Sequence, residues 1–371
     1  MEYIGIDIFS GAGGLSLGAE WAGVNVKIAI EKDKSAAETY KLNHKEATVL
    51  CDDIKDINAQ SLIGDQPVFI IMGGPPCQGF SLSNTMSRNM DNPNNHLFEE
   101  FLRFVKDIKP KWFLFENVWG FTKMEDGKTE TYVQHRFEEL GYKVSPKVLW
   151  ANDYGVPQRR NRFFMVGNLD DIDFEYPKPV DYQVTVEQAI GDLPVLENGD
   201  SFESLEYSKS LEQASNYAQI MRRKSKKALQ NYVSKNNDLV IERYKHIPQG
   251  GNWRNIPEEL MQNYSDKTRC HSGIYKRLRA DQPSVVISNY RKSMLIHPYQ
   301  NRGLSVREAA RIQSFPDDFI FKGPISHIQQ QIGNAVPPLL AKAVIEKILS
   351  YSNLNNSYHL RLVPLFYKNR T

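Results

Sequence analysis

The sequence predicts an α/β protein in which a mainly parallel sheet carries helices on both faces and is joined to a smaller second domain. The first 167 residues alternate short apolar runs with amphipathic stretches of helical length, and this alternation favours a parallel sheet with crossover helices. After Gly167 this alternation ends. A stretch with several prolines follows, and then a basic, polar stretch. That change indicates a second unit built more from loops and short strands.

The predicted strands follow one another in the first half of the chain. They cover residues 3–9, 26–30, 48–51, 68–72, 112–115 and 162–166. Helical spacing of apolar residues predicts helices over residues 97–108 and 131–140 between them. Ligands of such sheets gather at the carboxyl ends of the strands. Five candidate functional residues occupy these ends: Gly11, Glu31, Asp53, Cys77 and Glu116.

Charge is spread unevenly over the second half of the chain. Residues 168–206 contain eleven acidic residues and one lysine, whereas residues 207–279 contain fifteen basic and six acidic residues. Each block alone is compatible with a solvated face, but a basic block directly after an acidic one is more suggestive of a nucleic-acid surface. Regular patterning returns near residue 304, with a short helix predicted over residues 306–314. A longer helix is predicted to follow residues 331–338 and to run through Leu349. For residues 331–338 themselves, a turn fixed by Gly333 and Pro337 is the alternative to a functional role.

Composition excludes several classes of protein. The hydrophobic content of 41% and charged content of 24% are ordinary for a globular protein. The sequence has no apolar run of about 18 residues, so we expect no membrane span, and its N-terminal strand pattern is unlike a signal peptide. Three scattered cysteines, Cys51, Cys77 and Cys270, indicate a reduced compartment, and the lack of CxxC spacing argues against a structural zinc site.

A thiol and a carboxyl group follow two neighbouring predicted strands. Residues 75–78, Pro-Pro-Cys-Gln, come after a buried strand and two glycines, which predicts a tight turn with Cys77 at its tip. Glu116 ends the strand over residues 112–115. A thiol beside an acid is typical of covalent catalysis with proton transfer. The alternative is that Cys77 is a buried structural cysteine and Glu116 an ordinary strand-end carboxylate.

A glycine-rich turn over residues 9–14 follows the first strand and opens a helix, an arrangement that lets the backbone approach a ligand closely. Glu31 ends the next strand, where an acid can bind ribose hydroxyls, and Asp53 follows the third strand, where it can bind an adenine amino group. The sequence has no GxxxxGK[ST] motif for a nucleoside triphosphate. A nucleoside cofactor without a pyrophosphate fits better, and S-adenosylmethionine is the obvious candidate; a simple tight turn is the alternative.

Taken together, these motifs make the chain resemble the DNA (cytosine-5) methyltransferases, especially those of bacterial restriction–modification systems. The resemblance spans nearly the whole chain apart from a stretch in the middle. It rests on residues 7–18, Glu31, Asp53 and residues 73–81, 116–118, 158–162, 302–319 and 331–337. Each motif is moderately specific, whereas the ordered set is highly specific.

By this resemblance the fold is the Rossmann-like fold of S-adenosylmethionine-dependent methyltransferases, and no metal is needed. Residues 1–180 and 325–371 are expected to form the catalytic and cofactor-binding domain. Residues 181–324, hereafter the middle region, are expected to form the target-recognition domain. The resemblance assigns S-adenosylmethionine binding to Phe9, Gly11, Ala12, Gly13, Gly14, Glu31, Asp53, Ile54, Pro75, Asn334 and Ala335.

The implied chemistry explains the residue types at the centre of the motifs. Cytosine C5 is a poor nucleophile towards a methyl sulfonium, and addition of a thiolate at C6 activates it. By resemblance Cys77 is that nucleophile, and Glu116, in its protonated form, bonds cytosine N3 and the exocyclic amine. Arg160 and Arg162 would orient the base and Glu116. Because C5 and C6 are hidden in a stacked duplex, the base must be flipped out.

The resemblance implies double-stranded DNA as the substrate. The candidate DNA contacts are Gln78, Ser81, Arg88, Gln249 and Arg254. Two positions depart from the family pattern. Lys32 stands where an aromatic or apolar residue often covers the adenine, and residues 91–95 lack the arginine that often grips a phosphate. We hypothesise that Arg88 substitutes for that arginine.

By resemblance the protein acts as a monomer in the cytoplasm of a bacterium, beside an independently acting restriction endonuclease, and a phage origin is also open. Three other interpretations remain. An RNA (tRNA) cytosine-5 methyltransferase would share the catalytic logic, although the sizeable middle region favours duplex DNA. A catalytically inactive DNA-binding regulator is disfavoured by the intact Cys77, Glu116 and Arg162. A nucleotide-dependent oxidoreductase would leave the Pro-Pro-Cys turn without a role.

Overall fold

The computed structural model describes residues 2–64, 66–76, 97–262, 273–288, 290–292 and 294–354. Four of the predicted functional residues lie outside the described residues: Cys77, Gln78, Ser81 and Arg88. The remaining candidates can be placed.

A seven-stranded sheet forms the centre of the catalytic half. Its strands are β1 (Ile4–Ile8), β2 (Asn25–Ile30), β3 (Thr48–Leu50), β4 (Ile70–Gly73), β5 (Trp112–Val118), β6 (Lys143–Trp150) and β7 (Asn161–Asn168). They lie in the order β3-β2-β1-β4-β5-β7-β6, with β1 to β5 mutually parallel and β7 antiparallel to both of its neighbours. The mainly parallel sheet predicted from the alternating pattern is thereby confirmed.

Ten α-helices occur in the described part of the chain. They are α1 (Gly14–Ala22), α2 (Lys34–Asn43), α3 (Leu97–Ile108), α4 (Lys128–Glu138), α5 (Val186–Ile190), α6 (Asn216–Arg222), α7 (Asp238–Lys245), α8 (Val306–Ile312), α9 (Ile325–Asn334) and α10 (Pro338–Leu354). The bounds predicted for α3 agree with the structure, whereas α4 begins and ends slightly earlier than predicted.

Helices cover both faces of the sheet, as predicted. On one face α1 packs against α10, and Leu15, Ala19, Leu340 and Val344 share a buried core with the strands. On the other face α3 and α4 bury phenylalanines, and the rings of Phe113 and Phe137 stack at 4.1 Å. Buried aromatic side chains contribute a large share of the hydrophobic stabilisation. The two packed faces leave the carboxyl edge of the parallel strands as the place for a ligand.

Two elements of the catalytic half were not predicted. Strand β6 contains Pro146, which interrupts a strand pattern, but β6 is the edge strand, where proline is tolerated because one side of the ladder is unpaired. Helix α9 covers residues that the sequence pattern assigns to a turn before the last helix. Its Gly333 is helical rather than left-handed, so glycine does not end the helix there.

The middle region contributes short elements and a charged interior. Strands β8 (Ser201–Leu205) and β9 (Ala228–Tyr232) form an antiparallel pair. The whole of helix α8 is buried, and its Arg311 forms ion pairs with Asp192 at 3.1 Å and with Asp317 at 2.5 Å. A core cluster joins this region to Ile328 and Ile332 of α9.

The basic block of residues 207–279 is only partly a surface feature. Arg222, Arg243 and Arg277 are buried: Arg222 pairs with Asp192 at 2.7 Å, and Arg277 donates to the carbonyl groups of Ile247 and Tyr244. An exposed run of four cations remains, Arg223, Lys224, Lys226 and Lys227. Counting charges along the sequence therefore overstates the basic surface. Within the described ranges, no helix is long and apolar enough to cross a bilayer.

Candidate active site

A cavity of about 780 Å³ opens at the carboxyl edge of the parallel strands. Its walls come from the loop after β1, the ends of β2, β4 and β5, the segment after β3, and helix α9. Most of the predicted cofactor residues line it: Phe9, Gly11, Ala12, Gly14, Glu31, Asp53, Ile54, Asn334 and Ala335. Residues that are far apart in the sequence and were predicted to bind the cofactor thus surround one cavity.

The glycine-rich turn is shaped by close contacts that exclude side chains. At Gly14 a Cβ atom would collide with the carbonyl oxygen of Val336, and at Gly13, which has a φ of 92°, it would collide with the ring of His44. Glycine is the residue that tolerates such positions. Gly13 is not among the residues lining the cavity, so its contribution to the site is to shape the turn.

Glu31 is fixed at the end of β2 by two backbone groups. Its Oε2 accepts from the Gly11 N–H and its Oε1 from the Asp33 N–H, both at 2.7 Å. Burial raises the pKa of this carboxyl group, and the backbone hydrogen bonds oppose the shift. Each oxygen keeps a lone pair towards the cavity, which suits a ribose hydroxyl.

Asp53 is oriented by its neighbours at the same end of the cavity. Its Oδ1 accepts from the Lys55 N–H at 3.1 Å, and its Oδ2 pairs with the Lys32 ammonium at 2.8 Å. The hydrogen bond from Lys32 is the main reason that the pKa of Asp53 is lowered. Lys32, which departs from the family pattern, therefore acts on the predicted adenine-binding acid and not as a stacking surface.

Asp7 lies at the bottom of the cavity and was not singled out as a site residue. It is fully buried, its Oδ2 accepts from the Ser16 hydroxyl at 2.5 Å, and Ser16 accepts from the Tyr40 hydroxyl at 2.7 Å. Burial raises the pKa of Asp7 to about 8. Its Oδ1 has no hydrogen-bond partner among the described residues, so a polar atom without a protein partner remains beside the cavity.

Helix α9 supplies a wall that sequence reasoning largely missed. His327, Gln330, Gln331, Asn334 and Ala335 line the cavity. Except for Ala335, which follows the helix, they recur at helical spacing, a signal that the turn assignment of residues 331–338 obscured. Thr39 of α2 donates to Gln331 at 2.7 Å. Helix α9 is thereby fastened to the N-terminal half of the chain.

A buried ion pair lies at the end of β5. The Arg162 Nε is 2.7 Å from the Glu116 Oε1, and the two side chains are 7% and 10% exposed. Both residues belong to adjacent antiparallel strands, and Glu116 lines the cavity. Burial raises the pKa of Glu116, while Arg162 acts in the opposite direction. A carboxyl group in such an environment is suited to hold a proton and to donate it in a hydrogen bond.

The loop before Cys77 is held directly against this pair. At Gly74 a Cβ atom would collide with the Glu116 carboxylate, so only glycine lets the loop approach so closely. The Asn117 side-chain amide donates to the Pro75 carbonyl at 2.9 Å. Pro76 lines the cavity, whereas Pro75, a predicted cofactor contact, is not among the residues that line it.

Arg160 has a different position from the one predicted. The sequence predicts that it orients the base and Glu116 together with Arg162. Its guanidinium, 3% exposed, donates instead to the carbonyl groups of Ile287 and Gly333, both at 2.7 Å. Arg159 is exposed, whereas the neighbouring Arg160 is buried and bonded to those two carbonyl groups. Arg160 therefore joins the middle region to the end of α9.

Gln249 and Arg254 lie in a loop whose backbone is tightly fixed. The Gly250 N–H donates to the Arg277 carbonyl at 3.0 Å, and Gln249 accepts from the Ala280 N–H at 3.0 Å. Both predicted DNA contacts are exposed, and the Arg254 guanidinium stacks over the Trp253 ring at 5.6 Å. The glycines serve the turn, while the exposed side chains remain available to a partner.

The cavity fits the expected cofactor. Glu31 and Asp53 provide carboxylate acceptors for ribose and adenine at one end, and the Asp7 Oδ1 provides a further polar group deeper in the cavity. The apolar Phe9 and Ile54 line the same space. In the part of the chain that the structure describes, no cluster of histidine, cysteine and carboxylate side chains could hold a metal ion.

Comparisons with known proteins identify the family of the chain. Residues 3–350 match the family model of the C-5 cytosine-specific DNA methylases. The chain is 39% identical to the type II methyltransferase M1.HphI of Haemophilus parahaemolyticus, over 93% of this chain and 86% of the relative. It is 37% identical to the type II methyltransferase M.DdeI of Desulfomicrobium norvegicum, over 94% and 89%.

A solved structure supports the same conclusion. The crystal structure of a putative DNA modification methyltransferase encoded within an Escherichia coli prophage superposes with a TM-score of 0.77 at 28% identity, covering 95% of this chain and all of that one. The family match extends over nearly the entire catalytic sheet, the middle region and α10. The chain belongs to the C-5 cytosine-specific DNA methylases, which transfer a methyl group from S-adenosylmethionine to C5 of cytosine in DNA.

Proposed function

We propose that this chain is the sequence-specific modification enzyme of a type II restriction–modification system, with Cys77 as its nucleophile. The observation that carries the proposal is the buried Glu116–Arg162 pair, held against the Pro75–Pro76 loop at the edge of a cavity that suits S-adenosylmethionine. Cys77 directly follows that loop in the sequence. A nucleophile, an acid and a methyl donor would then share one space.

In this proposal Glu116 acts as the proton donor to cytosine N3. With its raised pKa it carries a proton that it shares with cytosine N3 as the Cys77 thiolate adds to C6. The electrons displaced from the C5–C6 bond make C5 nucleophilic. S-adenosylmethionine, when bound, supplies the methyl group that C5 accepts. A solvent water then takes the C5 proton, Glu116 takes back the N3 proton, and departure of the Cys77 thiolate restores the aromatic ring, with S-adenosylhomocysteine as the second product.

The remaining residues bind and orient. Glu31 and Asp53 would hold the ribose and the adenine amino group, with Phe9 and Ile54 against the ring and Asn334 and Ala335 on the opposite wall. Arg162 orients Glu116 through their ion pair and is itself fixed by a hydrogen bond to the Asn334 carbonyl at 3.3 Å. We assign Arg160 a positioning role and not a catalytic one.

The middle region is proposed to read the target sequence. Its exposed Gln249 and Arg254 have the chemistry for base edges, since glutamine suits adenine and arginine suits guanine. Residues 181–324 would form this recognition unit, and residues 1–180 with 325–371 the catalytic one. The enzyme would act as a monomer in the bacterial cytoplasm, while a separate endonuclease cleaves unmodified copies of the same sequence.

The decisive experiment is to express the chain in a bacterial host that lacks cytosine methylation and to map 5-methylcytosine by bisulfite sequencing. We expect methylation at one short sequence, because a dedicated recognition unit limits the enzyme to its site. The Cys77→Ala variant should leave the genome unmodified.

Two further variants test whether methylation requires the carboxyl group in the cavity. Replacement of Glu116 by glutamine should reduce methylation strongly, whereas Glu130→Gln, at an acid outside the cavity, should leave it unchanged. Methylation by the Cys77→Ala protein would exclude the covalent route through this thiol. Methylation spread over all cytosines would exclude a sequence-specific modification enzyme.

A further inference from the structure

We propose that Lys292 binds a phosphate of the DNA strand that carries the target cytosine, at the wall of the active-site cavity. This inference rests on the proposed function, because it takes as given that the cytosine is flipped towards Glu116. It assigns a DNA contact outside the residues that the sequence analysis selected.

Lys292 comes from the middle region, yet it lines the same cavity as Glu116. It lies on a tight turn in which the Leu295 N–H donates to the Tyr290 carbonyl at 3.1 Å. Tyr290 and Leu295 are buried in the core, whereas Arg291 and Lys292 are exposed. The turn therefore has an anchored base and presents cations at its tip.

The base of this turn is fastened to the active-site strand. The Ile287 N–H donates to the Gln158 side chain at 2.8 Å, and its carbonyl accepts from Arg160 at 2.7 Å. Gln158 and Arg160 are buried and directly precede Arg162, which pairs with Glu116. The segment that carries Lys292 is therefore connected, through Ile287, to the residues that precede Arg162.

The charge of the cavity explains why a cation is needed there. Six acidic residues line it: Asp7, Glu31, Asp33, Asp52, Asp53 and Glu116. Burial raises the pKa of Asp7 and Glu116 and favours their neutral forms, so the negative charge of the wall comes from the other four. An approaching polyanion is repelled by such a wall unless cations compensate. Lys292 belongs to the middle region, the part of the chain proposed to hold DNA, and its side chain is exposed at the wall of this cavity.

The chemistry favours a phosphate over a base as the ligand. When a base is flipped into a pocket, its flanking phosphates stay at the entrance. A lysine ammonium is a compact point charge that suits a phosphate oxygen, and such contacts fix the position of the strand without reading its sequence.

The test measures the salt dependence of DNA binding, with a short duplex that carries the sequence identified by methylation mapping. In Lys292→Gln, the slope of log binding constant against log salt concentration should decrease by about 0.9, the value for one lost phosphate contact. The dissociation constant should rise by about five- to tenfold near 0.1 M salt. Lys292→Arg should restore the slope, and Lys106→Gln, an exposed lysine in the last turn of α3, should not change it.

A second arm separates DNA from the cofactor. The dissociation constant of S-adenosylhomocysteine should be the same in wild type and Lys292→Gln. An unchanged salt slope, or a loss confined to cofactor binding, would overturn the inference. Because the wild-type protein must methylate the mapped sequence before the comparison begins, failure of the proposed function is detected separately.

Discussion

At the scale of single residues, two opposing effects act on the protonation of Glu116 in its ion pair with Arg162. Burial favours the protonated carboxyl group, while the guanidinium 2.7 Å away favours the carboxylate. Burial is the larger effect, so the pKa of Glu116 is raised. That balance predicts a pH dependence that a change at Arg162 would shift.

Arg162→Gln should raise the pKa of Glu116 further, because the neighbouring positive charge is removed. Methyl transfer needs a neutral Glu116 and a thiolate, so the pH optimum lies between their two pKa values and moves upward when either rises. We expect a higher pH optimum together with a loss in kcat of about 10²–10³-fold from misorientation of Glu116. Steady-state rates measured across pH check both effects.

The matched control for this change is Arg159→Gln, since Arg159 is exposed and lies three positions away on the same segment. Its pH optimum should coincide with that of the wild type. An optimum that stays in place in Arg162→Gln would show that Arg162 does not set the protonation of Glu116.

Asp7 predicts a pH dependence of stability. Its pKa is raised to about 8 from an ordinary value of 3.8, so the folded protein holds a proton that the unfolded chain releases. This stabilisation is complete below pH 3.8 and is lost as the pH rises towards 8. The free energy of unfolding of Asp7→Asn, minus that of wild type, should increase by about 1.4 kcal/mol per pH unit between these limits.

Urea unfolding at several pH values measures this difference. Asp173→Asn changes a side chain that is 91% exposed, and its difference from wild type should be independent of pH. Parallel curves for wild type and Asp7→Asn would mean that Asp7 is ionised in the folded state.

At the scale of secondary-structure elements, α1 depends on a close approach to α10. Gly18 faces the start of α10, where a Cβ atom would collide with the Pro338 carbonyl and come within 2.5 Å of the Ala341 Cβ. The approach also brings Gly14 against Val336, next to the cofactor wall. The packing of these two helices therefore sets the width of the cavity as well as the stability of the sheet.

Gly18→Ala should push α1 and α10 apart. Because both helices are packed in a core that cannot expand without loss of contacts, we expect the free energy of unfolding to fall by about 1–3 kcal/mol. Gly120→Ala places a methyl group where no atom lies within 4 Å, and its effect should stay within about 0.5 kcal/mol. Equal stability of the two variants, measured by urea unfolding, would contradict the tight packing of α1.

Some of these elements could be predicted from the sequence, and others could not. Strands β1 to β5 were predicted because each is a short apolar run, and α3 because its apolar residues follow the helical period. Strand β6 was missed because an edge strand tolerates Pro146 and polar residues that break the pattern. Helix α9 was missed because Gly333 and two prolines suggested a turn. Arg160 was misplaced because a sequence motif does not reveal which backbone carbonyl groups a guanidinium reaches.

At the scale of the whole molecule, one buried guanidinium connects the two functions of the chain. Arg160 donates to Ile287, in the middle region proposed to read DNA, and to Gly333, directly before Asn334, a proposed cofactor contact. Gln158 bonds to Gln313, which in turn donates to the Ile332 carbonyl at 2.6 Å. A displacement of the middle region would therefore be transmitted to the wall of the cofactor pocket.

Arg160→Gln should weaken both sides of this connection at once. It removes the donors of two buried carbonyl groups. Each costs about 1–3 kcal/mol when left unsatisfied, so the free energy of unfolding should fall by about 2–6 kcal/mol. Because Gly333 and Ile287 both lose their support, the affinities for S-adenosylhomocysteine and for DNA should fall together. Titrations of each ligand with the variant measure these affinities.

Arg160→Lys provides the intermediate case, since an ammonium group retains the charge but cannot reproduce the planar fork that reaches two carbonyl groups. It should recover part of the stability and one of the two affinities. If Arg160→Gln weakened DNA binding alone, with cofactor affinity intact, α9 would be held by the Gln158–Gln313 chain and not by Arg160. A coordinated loss would instead identify Arg160 as the residue through which the recognition unit and the methyl-donor pocket are kept in register.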